Sequence, residues 1–274
     1  MQEHSRVGFI GAGNMATSIM TGMLRNGWPA TNIIASDPFP ASRERAAALG
    51  VSTSTDNLEV ARNSEVLVLA VKPQQLSDVC QELASSCQQE KPLVISIAAG
   101  VSSSSLSNWL DAGVPIVRCM PNTPALVGLG ASVLFASEGV DETQRSAAQN
   151  LLECTGLVAW VEDEKLMHAV TAVSGSGPAY FFLMLEAIRD VGSKMGLTEE
   201  LANTLAIQTA AGAAAMAAGE IDLVELRRQV TSPGGTTERA IAAFEDGGLR
   251  QLVASAMNDC AERARELDAL SAAD

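Results

Sequence analysis

The sequence predicts an α/β region, in which a doubly wound, mainly parallel sheet is covered by helices, followed by an all-α region. In about the first 160 residues, short and continuously apolar runs alternate with helical patterns. Such runs are typical of parallel strands that are buried on both faces. From Lys165 onward, helical periodicity replaces them. We place the boundary in the charged segment 162–165, which divides the chain into domains 1–163 and 164–274.

Each element follows from its local pattern. Strands are expected at 7–10, 32–35, 66–71, 93–97, 116–119, 131–135 and 157–161. Helices of the first region are expected to begin at Met15 and to cover 41–49 and 75–84. Helices of the second region are expected at 178–195, 198–218, 223–230 and 249–270. Pro178 and Pro233 follow turns rich in Ser and Gly, which is typical of helix starts.

Composition and charge argue against several classes of function, namely nucleic-acid binding, membrane binding and metal binding. The net charge of −14 argues against nucleic acid or an anionic membrane as a partner. The most uniform apolar segment, 206–219, is too short to span a bilayer and contains Gln208 and Thr209. Five scattered cysteines lack metal-binding spacing and are typical of reduced thiols, so we expect no metal site. With no export signal in the sequence, we expect a cytoplasmic protein.

The most informative motif is the turn Gly11-x-Gly13-x-x-Ala16, which lies between the first strand and the first helix. In this context it predicts dinucleotide binding. Gly11 makes the tight turn, Gly13 leaves room for a diphosphate, and Ala16 lets the helix pack closely on the strand. The helix N-terminus then offers free N–H groups to the phosphates. An ordinary glycine-rich turn remains the alternative.

Polar residues follow the second strand, about twenty residues beyond the glycines, where the fingerprint places recognition of the adenosine ribose. Asp37 would accept a hydrogen bond from a free 2′-hydroxyl and favour NADH. Ser36, Asn57 and Arg43 would instead receive a 2′-phosphate and favour NADPH. The sequence leaves this choice open. Lys72, at the end of another strand, either approaches the cofactor phosphates or is solvated.

Two further turns are candidate ligand sites. In the segment 118–124, Asn122 and Thr123 offer hydrogen bonds to a nicotinamide pocket, with a rigid turn as the alternative. In the segment 232–237, glycines expose consecutive N–H groups at a helix start, which suits a small carboxylate. A capped helix without a ligand is the alternative there.

Nucleophilic and metal-dependent chemistry have no motif in this chain. The two histidines are His4 and His168, and we expect His168 on a helix surface. HExxH and GxSxG motifs are absent from the sequence. Hydride transfer needs neither, because the nicotinamide makes the bond and the protein orients the reactants.

At this point the chain resembles the pyrroline-5-carboxylate reductases. The resemblance is carried by GFIGAGNMA (8–16), AVKPQ around Val71, SIAAGV (96–101), RCMPNTPALVGLGAS (118–132), AVTAVSGSGPAYFF (169–182), KMGL (194–197) and VTSPGGTT (230–237). It implies a Rossmann-like domain, an all-α dimerisation domain, and NADPH or NADH as the cofactor. It also implies reduction of 1-pyrroline-5-carboxylate to L-proline by a homodimer, which can assemble further into a decamer.

The resemblance also implies which residues bind. The cofactor residues would be Gly11, Ala12, Gly13, Asn14 and Met15 at the diphosphate, Ser36 and Asn57 at the ribose, Ala70, Val71, Lys72 and Pro73 further in, and Met120, Asn122 and Thr123 at the nicotinamide. The substrate residues would be Ser232, Gly234, Gly235, Thr236, Thr237 and Asn122. The N–H groups of Gly235, Thr236 and Thr237 would hold the substrate carboxylate. The Thr237 hydroxyl would lie near the ring nitrogen, as the catalytic group.

Two positions depart from the usual pattern: Arg228 stands where an acidic residue is common, and His168 replaces an aspartate. Two rival functions remain open. One is reduction of a different cyclic imine acid, such as a six-membered ring. The other is a catalytically silent nucleotide sensor.

Overall fold

An eight-stranded sheet dominates the first part of the chain in the computed structural model, which describes residues 5–111 and 113–272. The strands are β1 Val7–Ile10, β2 Ile33–Ser36, β3 Ser52–Ser54, β4 Val66–Leu69, β5 Leu93–Ser96, β6 Ile116–Met120, β7 Gly130–Ala136 and β8 Gly156–Trp160. Their order is β3-β2-β1-β4-β5-β6-β7-β8. Every pair is parallel except β6 with β7. The predicted fold class is confirmed.

Helices flank the strands and then form the second part of the chain. They are α1 Asn14–Arg25, α2 Pro40–Ala47, α3 Asn57–Arg62, α4 Leu76–Glu90, α5 Ser103–Trp109, α6 Glu142–Glu153, α7 Leu166–Val170, α8 Gly177–Lys194, α9 Glu199–Ala217, α10 Leu223–Gln229, α11 Thr236–Asp246 and α12 Leu249–Ser271. A π-helical turn, Thr171–Gly175, joins α7 to α8. Sequence patterns missed β3, α3 and α5, which are short, and also α6, which has 12 residues.

The core of the sheet has two layers because successive side chains of a strand point to opposite faces. Phe9 packs into a cluster with Ile19 of α1, whereas its neighbour Ile10 packs into a cluster with Leu83 of α4. The strands β1, β4 and β5 are buried at every position. This burial on both faces explains why their sequences are apolar without alternation.

The chain divides into two compact units. The first comprises the described residues up to Ser176 together with those from Cys260 onward, and the second is Gly177–Asp259. The predicted boundary at residues 163 and 164 lies within the first unit. As a division between dinucleotide-binding and dimerisation functions, it stays a prediction.

The C-terminal part of α12 packs within the first unit. A Cβ at Gly100 would lie 2.7 Å from the Cβ of Leu267, so only glycine permits this approach. Ser271 Oγ donates a hydrogen bond to the Gly100 carbonyl at 3.1 Å. His168 Nε2 lies 3.6 Å from Asp268 Oδ2, and the His168 side chain is 12% exposed. The expected surface position of His168 is therefore wrong, because the returning helix covers it.

The second unit carries an unusually apolar surface. Phe181, Leu183 and Met195 are 71%, 67% and 81% exposed. Its helices nevertheless pack tightly on each other, since a Cβ at Gly192 of α8 would lie 3.2 Å from that of Ala202 in α9. Large exposed apolar patches mark interaction surfaces. Within the described ranges, none of the helices combines the length and the apolar character needed to cross a bilayer.

Candidate functional site

The predicted cofactor residues gather at one edge of the sheet. Strand β1 lies between β2 and β4, and both pair with it in parallel. After β1 the chain passes to β2 and β3 on one side of β1, and it then crosses to β4 on the other side. This reversal of direction makes a crevice at the carboxyl ends of the strands. The turns that contain the predicted residues follow β1, β2, β3, β4 and β6. Since these strands are parallel, all of these turns lie at the same edge.

The glycine turn after β1 has the shape that its sequence predicts. Gly11 has a φ of +97°, and a Cβ there would lie 2.8 Å from the Ala70 carbonyl oxygen. At Gly13, a Cβ would meet no atom within 4 Å. Gly13 is the N-cap of α1, and no described side chain caps this helix. The turn therefore leaves open space in front of uncapped N–H groups, which suits a diphosphate.

Asp37 supports this turn. Its Oδ2 accepts a hydrogen bond of 2.9 Å from the Ala12 N–H, and its Oδ1 accepts one of 2.9 Å from the Phe39 N–H. Asp37 is only 8% exposed. Both carboxylate oxygens are thus bound to backbone, so the residue acts as a strut between the glycine turn and the end of β2.

Ser36 and Asn57 lie together, as the resemblance implies for the ribose. Ser36 Oγ donates to Asn57 Oδ1 at 2.7 Å. Asn57 Nδ2 in turn donates to Glu82 Oε2 at 3.0 Å. This chain of bonds fixes the orientation of the Asn57 amide beside the end of β2.

The turn after β4 lies against the glycine turn. The Ala70 N–H donates to the Ile10 carbonyl at 2.8 Å, which extends the pairing of β1 with β4 by one residue. Val71 is half-buried, Pro73 begins a 3-10 turn, and Lys72 is exposed. Lys72 forms no ion pair with any residue that the structure describes. Its ammonium group is thus free to meet an anion.

The segment after β6 is rigid. The Asn122 amide donates to the Ser174 carbonyl at 3.0 Å and accepts from the Ala131 N–H at 2.8 Å. Asn122 is 8% exposed, so its side chain joins β7 to the π-helical turn. A Cβ at Gly175 would lie 2.3 Å from Met120 Cε, so Met120 packs on the same turn. Thr123 is exposed.

A buried ion pair supports β6 from behind. Arg118, two residues before Met120, donates from Nη1 to Glu164 Oε1 at 2.7 Å. The two Glu164 oxygens also accept from the N–H of Ser103 at 2.6 Å and from its hydroxyl at 2.7 Å. Burial acts to raise the pKa of Glu164, but the bonds from Arg118 and Ser103 outweigh it and lower the pKa overall. Glu164 therefore stays ionised and ties α5, β6 and the segment before α7 together.

The turn at residues 232–237 belongs to the second unit. Gly234 has a φ of +72°, which favours glycine. The Gly235 N–H donates to the Ser232 carbonyl at 3.0 Å. No described residue accepts from the N–H of Thr236 or Thr237, which begin α11. Two of the three N–H groups that the resemblance implies are therefore free.

An acidic side chain also borders this turn, and the sequence analysis did not include it. The Gly234 N–H donates to Glu238 Oε2 at 2.8 Å. The sequence does contain a signal for this contact, because an acidic residue in the first turn of a helix commonly accepts hydrogen bonds from the N–H groups before it. The Arg118–Glu164 pair had no such signal, since the two residues are 46 positions apart.

The buried thiols are unsuited to nucleophilic chemistry. Burial raises the pKa of Cys119, next to Met120, to about 12, and the pKa of Cys87 to about 11. Both thiols therefore stay protonated at neutral pH. The described residues contain no group of three or more His, Cys, Asp or Glu side chains placed to hold a metal ion. His4 lies outside the described residues.

Two family models match the chain. Residues 6–100 match the model described as NADP oxidoreductase, coenzyme F420-dependent, and residues 164–267 match the model described as pyrroline-5-carboxylate reductase dimerisation. The second match places a dimerisation domain in this chain and indicates a homo-oligomer.

Relatives of known name match over nearly the whole chain. The pyrroline-5-carboxylate reductase of Pseudomonas aeruginosa is 48% identical, with 96% of each chain covered. That of Haemophilus influenzae is 46% identical, with 98% of this chain and 99% of the relative covered.

Solved structures match as well. A pyrroline-5-carboxylate reductase from Coxiella burnetii has a TM-score of 0.91 at 44% identity, and the match covers 97% of this chain and 99% of that structure's chain. The Plasmodium falciparum pyrroline carboxylate reductase with NADP bound has a TM-score of 0.87 at 27% identity, with 98% and 100% covered. The chain therefore belongs to the pyrroline-5-carboxylate reductase family.

Proposed function

We propose that the chain reduces 1-pyrroline-5-carboxylate to L-proline with NADPH or NADH, the last step of proline biosynthesis. The observation that carries the proposal is the near full-length identity to reductases of that name, at 48% and 46% for two of them. Two glycine turns also support the proposal. Each precedes a helix, α1 or α11, whose N-cap forms no side-chain hydrogen bond with the described residues. One turn suits a diphosphate and the other a small carboxylate.

The first unit holds the coenzyme in this proposal. The free space at Gly13 and the uncapped N–H groups of α1 fit a diphosphate. The residues that hold the coenzyme are Gly11, Ala12, Gly13, Asn14, Met15, Ser36, Asn57, Ala70, Val71, Lys72, Pro73, Met120, Asn122 and Thr123. The reduced nicotinamide, when bound, supplies a hydride to the imine carbon. The chain's own task is to fix the coenzyme in one orientation.

The second unit supplies the substrate turn. The free N–H groups of Thr236 and Thr237 hold the substrate carboxylate, and the bond from Gly235 to Ser232 keeps the turn in shape. Thr237 is exposed, so its hydroxyl is free to hydrogen-bond the ring nitrogen. The imine carbon accepts the hydride, the C=N bond becomes a single bond, and the nitrogen carries the proton of the iminium form. Holding the carboxylate fixes which face of the ring meets the hydride.

Assembly is part of the proposal. A homodimer formed through the helical domain would cover exposed apolar side chains such as Phe181 and Met195. Five such dimers would give the decamer that the resemblance implies. Light scattering of the purified protein measures this mass directly. The five free cysteines of the described residues support a reducing compartment, the cytoplasm.

The test follows oxidation of NADPH and NADH separately, with 1-pyrroline-5-carboxylate and with its six-membered analogue. We expect turnover of the five-membered ring. Thr237→Ala should lower kcat about tenfold, because one hydrogen bond to the reacting ring is lost. Thr237→Ser should restore it, and the coenzyme Kd should stay unchanged in both.

Other outcomes would assign a different function. Faster turnover of the six-membered ring would indicate a related imine reductase. Coenzyme binding without oxidation by either ring would indicate a nucleotide sensor.

A further inference from the structure

We propose that His168 and Asp268 form a proton-sensitive joint between α7 and α12, and that this joint positions the segment around Asn122. The inference rests on the proposed function, because that segment borders the nicotinamide in the proposed reaction. His168 is a positioning residue in this proposal, since it acts through the π-helical turn that follows α7.

The C-terminal part of α12 contacts both α7 and the end of the π-helical turn. His168 Nε2 lies 3.6 Å from Asp268 Oδ2, and the two side chains are 12% and 20% exposed. Along the same helix, Cys260 Sγ lies 3.2 Å from Ser176 Oγ. Asp268 Oδ1 is buried and accepts no hydrogen bond from any described residue. Because buried polar atoms are normally bonded, the imidazole is the group that compensates the Asp268 carboxylate.

The position of α7 determines the position of the π-helical turn. Thr171 Oγ1 donates to the Met167 carbonyl at 2.8 Å, and Ser174 Oγ donates to the Val170 carbonyl at 3.1 Å. The Ser174 carbonyl in turn accepts from the Asn122 amide at 3.0 Å. A displacement of α7 is therefore transmitted to Asn122, which lies in the segment after β6.

Four charged groups face the imidazole of His168. They are Asp268 and Arg265 from α12, Arg118 from β6 and Glu164 from the segment before α7. Burial is the largest influence, and together with the two arginines it outweighs the two carboxylates. The pKa of His168 therefore lies below its ordinary value, and the imidazole is neutral at pH 7.

Acid favours opening of the joint for this reason. An imidazole that is released to water regains its ordinary pKa of about 6.5 and binds a proton more readily than the buried imidazole does. The contribution of neutral His168 to stability is thus complete above about pH 6.5 and is lost as the pH falls below it. In acid, α7 is released from α12, and the segment around Asn122 loses its support.

The experiment measures the titration of His168 and its effect on catalysis. The sequence has two histidines, so His4→Gln leaves His168 as the only source of an imidazole signal in NMR spectra of the isotope-labelled, full-length protein. The test variants are His168→Gln, which keeps an uncharged donor, and Asp268→Asn. The matched control is Asp259→Asn, which removes the same charge from an exposed position of α12.

We expect His168 to titrate below its ordinary range, and Asp268→Asn should lower its pKa further, because the Asp268 carboxylate favours the charged imidazole. Asp259→Asn should leave this pKa unchanged. The ratio of the wild-type kcat to that of His168→Gln should be about threefold lower at about pH 5.5 than at about pH 7.5. This ratio removes the titration of the imine substrate, which both proteins share.

A His168 pKa that does not change in Asp268→Asn would overturn the inference, because the two side chains would then not interact. Equal losses of kcat in acid for wild type and His168→Gln would also overturn it, since His168 would then not position the site. Failure of the proposed function is a different result, namely no turnover of either imine acid. In that case the NMR titration and the coenzyme Kd at the same two pH values still test the joint.

Discussion

Glu164 is expected to be the most sensitive charged position of the first unit. In Glu164→Gln, the Arg118 guanidinium, whose side chain is 5% exposed, loses its carboxylate partner. Charge-assisted bonds contribute about 1.5–3 kcal/mol each, and breaking a fully buried ion pair costs about 3–5 kcal/mol. The Glu164 side chain is 25% exposed, and glutamine still accepts one hydrogen bond. We therefore expect a loss of about 3 kcal/mol in the free energy of unfolding.

Urea unfolding at pH 7, followed by far-ultraviolet circular dichroism at one protein concentration, measures this loss. The matched control is Glu162→Gln, which removes the same charge from a side chain that is 82% exposed and lies 3.5 Å from Arg145. An exposed pair contributes at most about 1 kcal/mol. If Glu164→Gln loses no more stability than Glu162→Gln, the reasoning about the buried pair is refuted.

The pH dependence gives a second check. Because the folded-state pKa of Glu164 is lowered, its contribution is complete above the unfolded-state pKa and is lost as the pH falls through the folded-state value. The unfolded-state pKa of a glutamate is about 4.3. The difference between wild type and Glu164→Gln should therefore be constant near neutral pH and shrink in acid below about pH 4. A difference that grows in acid would contradict the assignment.

Four further substitutions test the candidate site. Gly13→Val should leave the melting temperature within about 2 °C of wild type but weaken coenzyme binding at least tenfold, because its side chain enters the free space. Gly11→Ala should instead cost about 1–3 kcal/mol of stability, because Gly11 has a φ of +97°. Scanning calorimetry measures the stability of both variants, and titration calorimetry measures their coenzyme affinity. Asn122→Ala should lower the free energy of unfolding by about 1–3 kcal/mol, since it leaves two partly buried backbone groups unpaired, and an unchanged urea midpoint would contradict the contacts. Glu238→Gln keeps an acceptor for the Gly234 N–H but removes a negative charge beside the substrate turn, so the KM for the imine acid should fall about threefold, and a rise in KM would contradict that position of the substrate carboxylate.

Much of the fold could be predicted because its signals are local. The buried strands β1, β4 and β5 are apolar at almost every position, and long helices such as α8 and α9 show their periodicity over many residues. Short elements were missed, since β3 has only three residues, two of them exposed. The longer helix α6 was missed as well, because only three of its 12 residues are buried. The antiparallel pairing of β7 was also not predicted, because its apolar pattern carries no sign of direction.

The candidate site likewise contains residues that a local sequence pattern identifies and contacts that only the structure shows. Gly11, Gly13 and the 232–237 turn were found because a glycine at a fixed offset before a helix is itself a local signal. The sequence leaves a ribose acceptor as one of two alternatives for Asp37, and only the folded chain shows both of its oxygens bound to backbone. The role of Asn122 as a strut was equally hidden, since its partners lie 9 and 52 positions away.

The sequence by itself determined the alternation of the main strands and helices, without β3, α3, α5 and α6, and the two places where backbone N–H groups face outward at a helix start. These features depend on residues within one or two turns of each other, whose preferences act before any long-range contact forms. Tertiary structure alone decided which charged side chains are bound by partners within the protein and which keep free donors. Glu164 is bound to Arg118 and Ser103, while Arg43 keeps an open guanidinium edge. Hydrogen bonds depend on distance in space, and distance along the chain does not specify it.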